Sequence, residues 1–134
     1  MAANLRAVAE QGPALVFAHN LHLQRNKSLM PFGDQQLEWW SAGAIAEAHL
    51  GDRYAFLASA LGTAGDNTPP PDTIEGLLST LPWNHSLIDA RRLAEAITKP
   101  APRISHDFRY FPLDPDQLDM IDGVVFLKQA VRLD

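Results

Sequence analysis

Two histidines, His19 and His22, stand three residues apart in the stretch VFAHNLHLQRN, and Asn20 follows the first of them. Imidazoles act as proton acceptors, hydrogen-bond donors and metal ligands near neutral pH, so this pair is the best candidate for chemistry in the chain. Residues three apart on a continuous strand point to opposite faces of the sheet. If both histidines serve one site, the backbone must therefore turn between them.

The pair by itself is open to other interpretations. In proteins, one such histidine more often satisfies a buried backbone group while the other is solvated. The spacing is also compatible with a metal pair, but we identify no third ligand, and the chain has no cysteine to supply a thiolate. We therefore expect no metal and no other cofactor. A serine hydrolase is disfavoured, because no G-x-S-x-G motif occurs.

Charged and aromatic residues near the pair are candidates for substrate binding. Arg25 and Lys27 could hold an anionic group of a substrate, although a solvated loop is the simpler interpretation. Trp39 could line a cleft for a bulky apolar substrate. Trp40 is expected in the core, because it shares a helical face with other apolar residues, namely Leu37, Ala44 and Ala48. Structural or solvated roles are expected for the other histidines, which are His49, His85 and His106.

Apolar spacing in the first half of the chain alternates between helix and strand. A short helix around residues 5–9 ends at Gly12-Pro13, and the apolar run 14–18 is predicted as a buried strand. The apolar residues of 23–36 show no clear periodicity, so this segment is predicted as a loop. A helix over 37–50 and an apolar strand over 54–61 follow. This succession predicts a parallel crossover with the histidines at the carboxyl end of a strand, where α/β sheets gather ligand sites.

The second half contains shorter elements. Residues 62–72 are predicted as a stiff, proline-rich connector, and Asp72 with Glu75 predicts a capping box for a helix over 73–80. A brief strand over 86–88, a helix capped by Asp89 and a strand over 123–127 follow. With 134 residues, the chain is long enough for a proper core. We predict a single α/β domain over residues 1–134, with a mostly parallel sheet and flanking helices.

Composition limits the classes of partner. The net charge is −5 and the basic residues are scattered, which argues against binding nucleic acid. No segment approaches the roughly 20 apolar residues of a membrane helix, and the first residues lack the apolar core of a signal peptide. We therefore expect a cytoplasmic protein that binds neither nucleic acid nor membranes.

Four stretches, in the same order along the chain, resemble the erythromycin esterase family. ALVFAHNLHL resembles the family's strand-plus-histidines signature, in which an apolar strand leads into a WAHN-x-H pattern, and Phe17 stands where tryptophan is common. LGDRYAFLASALGTAG, DMIDGVVFLKQA and MAANL resemble further segments of that family. The resemblance covers essentially the whole chain, and the segments it matches form the C-terminal part of the family's longer domain.

The resemblance implies hydrolysis of an ester. In family members assigned to macrolides, a base-activated water is thought to open the lactone ring, which destroys the antibiotic and implies a role in antibiotic resistance. The motif carries over to His19 and His22 as active-site members and to Asn20 as their neighbour. The family's general base is a histidine of an N-terminal segment with no counterpart here, so we expect the chain alone to be inactive. His19 and His22 would then orient the reacting groups and donate hydrogen bonds to the developing oxyanion, or one of them would itself act as base.

Two functional hypotheses follow. The first is a histidine-dependent hydrolase of a small-molecule carboxylic ester or macrolide lactone, with substrate contacts from Asn20, Arg25 and Trp39. The alternative is a shortened, non-catalytic relative that serves as a small-molecule binding or structural domain. In either case, a sheet taken from a larger domain exposes edge strands and an apolar face, which predicts self-association.

Overall fold

The computed structural model describes residues 1–105 and 110–130, and the chain divides into two compact units, Met1–Phe56 and Leu57–Asp134. Each unit is described by itself. In the described residues, no helix has both the length and the apolar character that crossing a membrane requires. The prediction of one domain over the whole chain stays a prediction.

The first unit consists of three α-helices, a β-hairpin and a short 3-10 helix, Gly51–Arg53. The helices are α1 (Ala2–Ala9), α2 (Asn20–Leu23) and α3 (Ala42–Leu50), and the hairpin pairs β1 (Lys27–Phe32) with β2 (Gln35–Trp40) in antiparallel register. Ser41 caps α3 by accepting a hydrogen bond from the Ala44 amide at 2.9 Å. The helix ends at Gly51, whose φ of +53° lies in the left-handed region that favours glycine.

The prediction of a buried strand over residues 14–18 is wrong for this structure. These residues form no strand, and Leu15 and Phe17 are 76% and 88% exposed. An apolar run becomes a buried strand only where a neighbouring strand accepts its backbone hydrogen bonds, and none of the strands in the described residues pairs with it. The parallel crossover predicted from this run is therefore absent as well.

The predicted loop over residues 23–36 and the predicted helix start at residue 37 are also wrong, because a hairpin occupies residues 27–40. Its two-residue turn is Gly33-Asp34, and Gly33 has a φ of +59°. Glycine at the first central position is typical of type II′ hairpin turns. Helix α3 begins after the hairpin, at Ala42.

The second unit is built on a three-stranded sheet with the spatial order β3-β5-β4. Its strands are β3 (Leu57–Ala64), β4 (His85–Asp89) and β5 (Gly123–Ala130). Strand β5 is parallel to β3 and antiparallel to β4, so the α/β class is supported but the sheet is not mostly parallel. The direction of a strand depends on its partner rather than on its own side-chain pattern, which is why the periodicity did not indicate it.

One face of this sheet forms the core of the second unit. Ala58, Ala60, Val124 and Phe126 are buried on it, and the helices α4 (Ile74–Leu78) and α5 (Ala90–Ala96) contact the sheet. The Asp89 carboxylate caps α5 as predicted, accepting from the amides of the first turn.

Helix α4 begins after Thr73, whose hydroxyl accepts from the Gly76 amide at 3.1 Å. The predicted capping box of Asp72 and Glu75 is therefore wrong. The Glu75 side chain is instead fully buried. Its Oε1 atom accepts a hydrogen bond in a polar network inside the second unit.

Candidate active site

The two histidines lie on one turn of backbone. His19 is the N-cap of α2, and its Nδ1 accepts a hydrogen bond from the Leu21 amide at 3.3 Å. The His22 amide donates to the His19 carbonyl at 2.8 Å, which closes the turn. The ring centroids are 6.5 Å apart with the planes at 79°. The backbone thus turns between the histidines, which is the condition that a shared site would require.

The cap also determines the proton position of a neutral His19. Because Nδ1 accepts from a backbone amide, the neutral ring carries its hydrogen on Nε2 and acts there as a donor. His22, by contrast, is exposed to solvent. The pair therefore combines a half-buried donor with a solvent-accessible imidazole that can accept a proton.

Trp39 lies beside the pair. Its ring centroid is 6.4 Å from that of His22, the planes are tilted by 45°, and the side chain is half-buried. Strand β2 positions it, because Trp39 is directly opposite Ser28 of β1. An indole next to an exposed imidazole offers an apolar surface to a bound molecule.

Side chains from the rest of the first unit hold α2 in place. Three hydroxyl groups donate to carbonyls of α2 and its C-cap residue: Ser28 to Leu21, Tyr54 to Leu23, and Ser41 to Gln24. Gly43 of α3 approaches so closely that a Cβ atom there would lie 1.9 Å from the Leu23 carbonyl oxygen. These contacts fix the histidine turn on a rigid support.

The other predicted substrate residues have different surroundings. Arg25 contacts Glu47 at 3.2 Å and donates to the Tyr54 carbonyl at 2.9 Å, so its guanidinium braces the first unit. Asn20 is half-buried in the first turn of α2. Lys27 forms an ion pair with Glu38 on the hairpin. Substrate roles for Asn20, Arg25 and Lys27 stay predictions.

Trp40 is not in the core, contrary to the prediction. It is 61% exposed, and the Lys27 ammonium lies 5.4 Å from the centroid of its ring. The reason is the secondary structure: in a strand, neighbouring residues point to opposite faces, so Trp40 points away from the side on which Trp39 contacts His22.

The other described histidines belong to other secondary-structure elements. His49 is exposed in the last turn of α3, and His85 is exposed at the start of β4. His106 lies outside the described residues. In residues 1–105 and 110–130, no three histidine or carboxylate side chains cluster in a way that could hold a metal ion.

A buried polar network in the second unit was not predicted. The Glu75 Oε1 atom accepts from the Tyr110 hydroxyl at 2.8 Å and from the Leu113 amide at 2.9 Å. The Tyr110 hydroxyl in turn accepts from the Leu61 amide at 3.0 Å, and the Arg103 guanidinium lies 5.2 Å from the Tyr110 ring centroid. Burial, together with the charge of Glu75, raises the pKa of Tyr110. The network fastens Tyr110 and Leu113 to α4, and Tyr110 to β3.

Comparison with known proteins gives one match. The family model of erythromycin esterase matches residues 1–130. The matched range includes the histidine turn and Trp39 in the first unit, and the Glu75 network in the second. No curated protein and no solved structure gives a significant match.

Proposed function

Because the chain belongs to the erythromycin esterase family, we propose that it hydrolyses a carboxylic ester or a macrolide lactone by means of histidine-activated water. The observation that carries the proposal is the turn that brings His19 and His22 together with a donor and an accessible acceptor. Where the substrate is a macrolide, opening of the lactone ring destroys the antibiotic, and the proposed role is then antibiotic resistance.

The two imidazoles divide the chemistry between them in this proposal. His22 removes a proton from water as the oxygen attacks the carbonyl carbon of the ester, and His19 donates from Nε2 to the oxyanion that develops. Collapse of the tetrahedral intermediate breaks the bond to the alcohol oxygen. The proton held by His22 then passes to that oxygen, and the products are a carboxylic acid and an alcohol.

Substitution of each histidine tests these roles. We expect His22→Ala to lower kcat/KM by about 10²- to 10⁴-fold, the range typical of a lost general base. His19→Ala removes both the donor and the helix cap, so His19→Asn is the sharper variant, because asparagine preserves capping but lacks the imidazole. His49→Ala, a change at an exposed histidine of the same unit, serves as the matched control and should leave activity unchanged.

The assay measures hydrolysis of simple esters and of erythromycin by this chain, and in parallel by a form extended through any upstream reading frame. Activity in either form that falls in the His19 and His22 variants but not in His49→Ala supports the proposal. If only the extended form is active, the general base comes from the added segment. The two histidines then orient the reacting groups and donate hydrogen bonds to the oxyanion. Activity in neither form would refute hydrolysis and favour a non-catalytic binding domain.

A further inference from the structure

The hairpin beside the histidines has two faces of different chemistry. Strand alternation and the pairing register place Ser28, Met30, Phe32, Gln35, Leu37 and Trp39 on one face, which we call the histidine face. The opposite face, which we call the outer face, has Lys27, Leu29, Pro31, Gln36, Glu38 and Trp40. All ionic side chains of the two strands are on the outer face, where Lys27 and Glu38 pair.

The histidine face continues the candidate active site without a break. Ser28 donates to the Leu21 carbonyl of α2, and Trp39 contacts the ring of His22. From Trp39 the apolar side chains continue towards the turn: Leu37 and Met30 form the next cross-strand pair, and Phe32 follows. At the usual rise per residue, this strip is about 13 Å long.

The strip is uncharged and accessible. Phe32 is 65% exposed and Leu37 is 39% exposed, whereas Ser28 at the base is buried against α2. An exposed apolar surface is uncommon on a two-stranded hairpin, which is only marginally stable without a packed face. A bound apolar group would supply that missing face.

We infer that the histidine face of the hairpin binds the apolar part of the substrate, and that the enzyme therefore selects esters with a long or bulky apolar acyl group over anionic or short-chain esters. The inference rests on the proposed function for the identity of the reacting group. It adds the specificity-determining residues Phe32 and Leu37, with Trp39 connecting the strip to the histidine pair. An anionic or short-chain ester gains nothing from a surface without cations or polar pairs.

Binding is measured separately from hydrolysis, with amide analogues that resist turnover. The probes are N-(4-nitrophenyl)octanamide and 4-nitroacetanilide, whose nitroaryl group quenches indole fluorescence. Trp40→Phe and Trp83→Phe, two changes at exposed positions, leave Trp39 as the reporter. A buried methylene contributes about fourfold in affinity, so burial of two of the additional methylenes makes the octanamide bind about 15-fold tighter.

Four variants in this background locate the binding surface. Phe32→Ser and Leu37→Ser should abolish most of this preference for the octanamide, and Phe32→Leu should restore it. Leu29→Ser is the matched control, because Leu29 is 47% exposed on the same hairpin but belongs to the outer face. No preference in the parent protein, or an equal loss in Leu29→Ser, would overturn the inference. Far-UV circular dichroism confirms that each variant is folded.

Hydrolysis of 4-nitrophenyl octanoate and 4-nitrophenyl acetate distinguishes this inference from the proposed function. Selective binding of the octanamide without hydrolysis of either ester would refute the proposed esterase activity and would still support apolar binding on the histidine face. Hydrolysis of both esters with the same KM, combined with equal binding of the two anilides, would support the proposed esterase activity. It would refute apolar binding on the histidine face.

Discussion

Removal of a single oxygen from the buried network of the second unit has a consequence that depends on pH. In Tyr110→Phe, the Glu75 carboxyl loses a donor at 2.8 Å and the Leu61 amide loses its acceptor at 3.0 Å. Each buried partner that is left without its hydrogen bond costs about 1–3 kcal/mol. We therefore expect the variant to lose about 3 kcal/mol of unfolding free energy at pH 7.

The sign of the pH dependence follows from the raised pKa of Tyr110, which has burial as its main cause and the charge of Glu75 as its second. Above pH ~10 the unfolded chain releases the tyrosine proton while the native state retains it. Stability supplied by Tyr110 is thus fully present below the unfolded pKa and is lost as pH rises towards the native value. For an unfolded pKa of about 10, the loss at pH 11 is about 1 kcal/mol.

Urea unfolding at several pH values tests this expectation. The stability difference between the wild type and Tyr110→Phe should shrink from about 3 to about 2 kcal/mol between pH 7 and pH 11. Tyrosinate absorbance provides a second measurement, and Tyr54→Phe assigns the signal because the chain has two tyrosines. A difference that stays constant over this range, or a native Tyr110 that ionises with an ordinary pKa, would refute the reasoning.

Two further predictions concern packing and surface. Gly43→Ala places a Cβ atom 1.9 Å from the Leu23 carbonyl oxygen, so thermal unfolding should show a loss of more than about 2 kcal/mol, and an unchanged Tm would contradict the close approach. The uncovered sheet face of the second unit has Leu87 and Leu127, 71% and 43% exposed, and should cause self-association that Leu87→Ser weakens. Size-exclusion chromatography that finds a compact monomer at all concentrations would reject this prediction.

The local signals in the sequence predicted the elements of the second unit better than those of the first. The strand predicted over 123–127 lies within β5, and the strand predicted over 54–61 overlaps β3. Asp89 was identified as a helix cap, because a capping side chain acts on amides only two or three residues away. Such signals are contained in a few consecutive residues and need no knowledge of the fold.

The hairpin was missed although its signal is also local. Pro31 and Gly33 were interpreted as loop residues, yet glycine and aspartate between two stretches of strand length are typical of a tight hairpin turn. The error then placed Trp40 on a helical face. By contrast, the exposure of residues 14–18 depends on whether a partner strand is present, and no property of the run itself reveals that.

The same distinction between local signals and distant partners applies to the candidate site residues. The requirement for a turn between His19 and His22 followed from strand geometry, and the structure supplies it by making His19 the cap of its own helix. Glu75 was interpreted as part of a helix cap, because its partners Tyr110 and Leu113 are 35 and 38 residues away along the chain. The proposal of hydrolysis therefore depends on contacts between residues that are close together in the sequence, His19 and His22. Because the histidine turn depends on neighbours within its own unit, changes at Glu75 should alter stability without removing the chemistry of the pair.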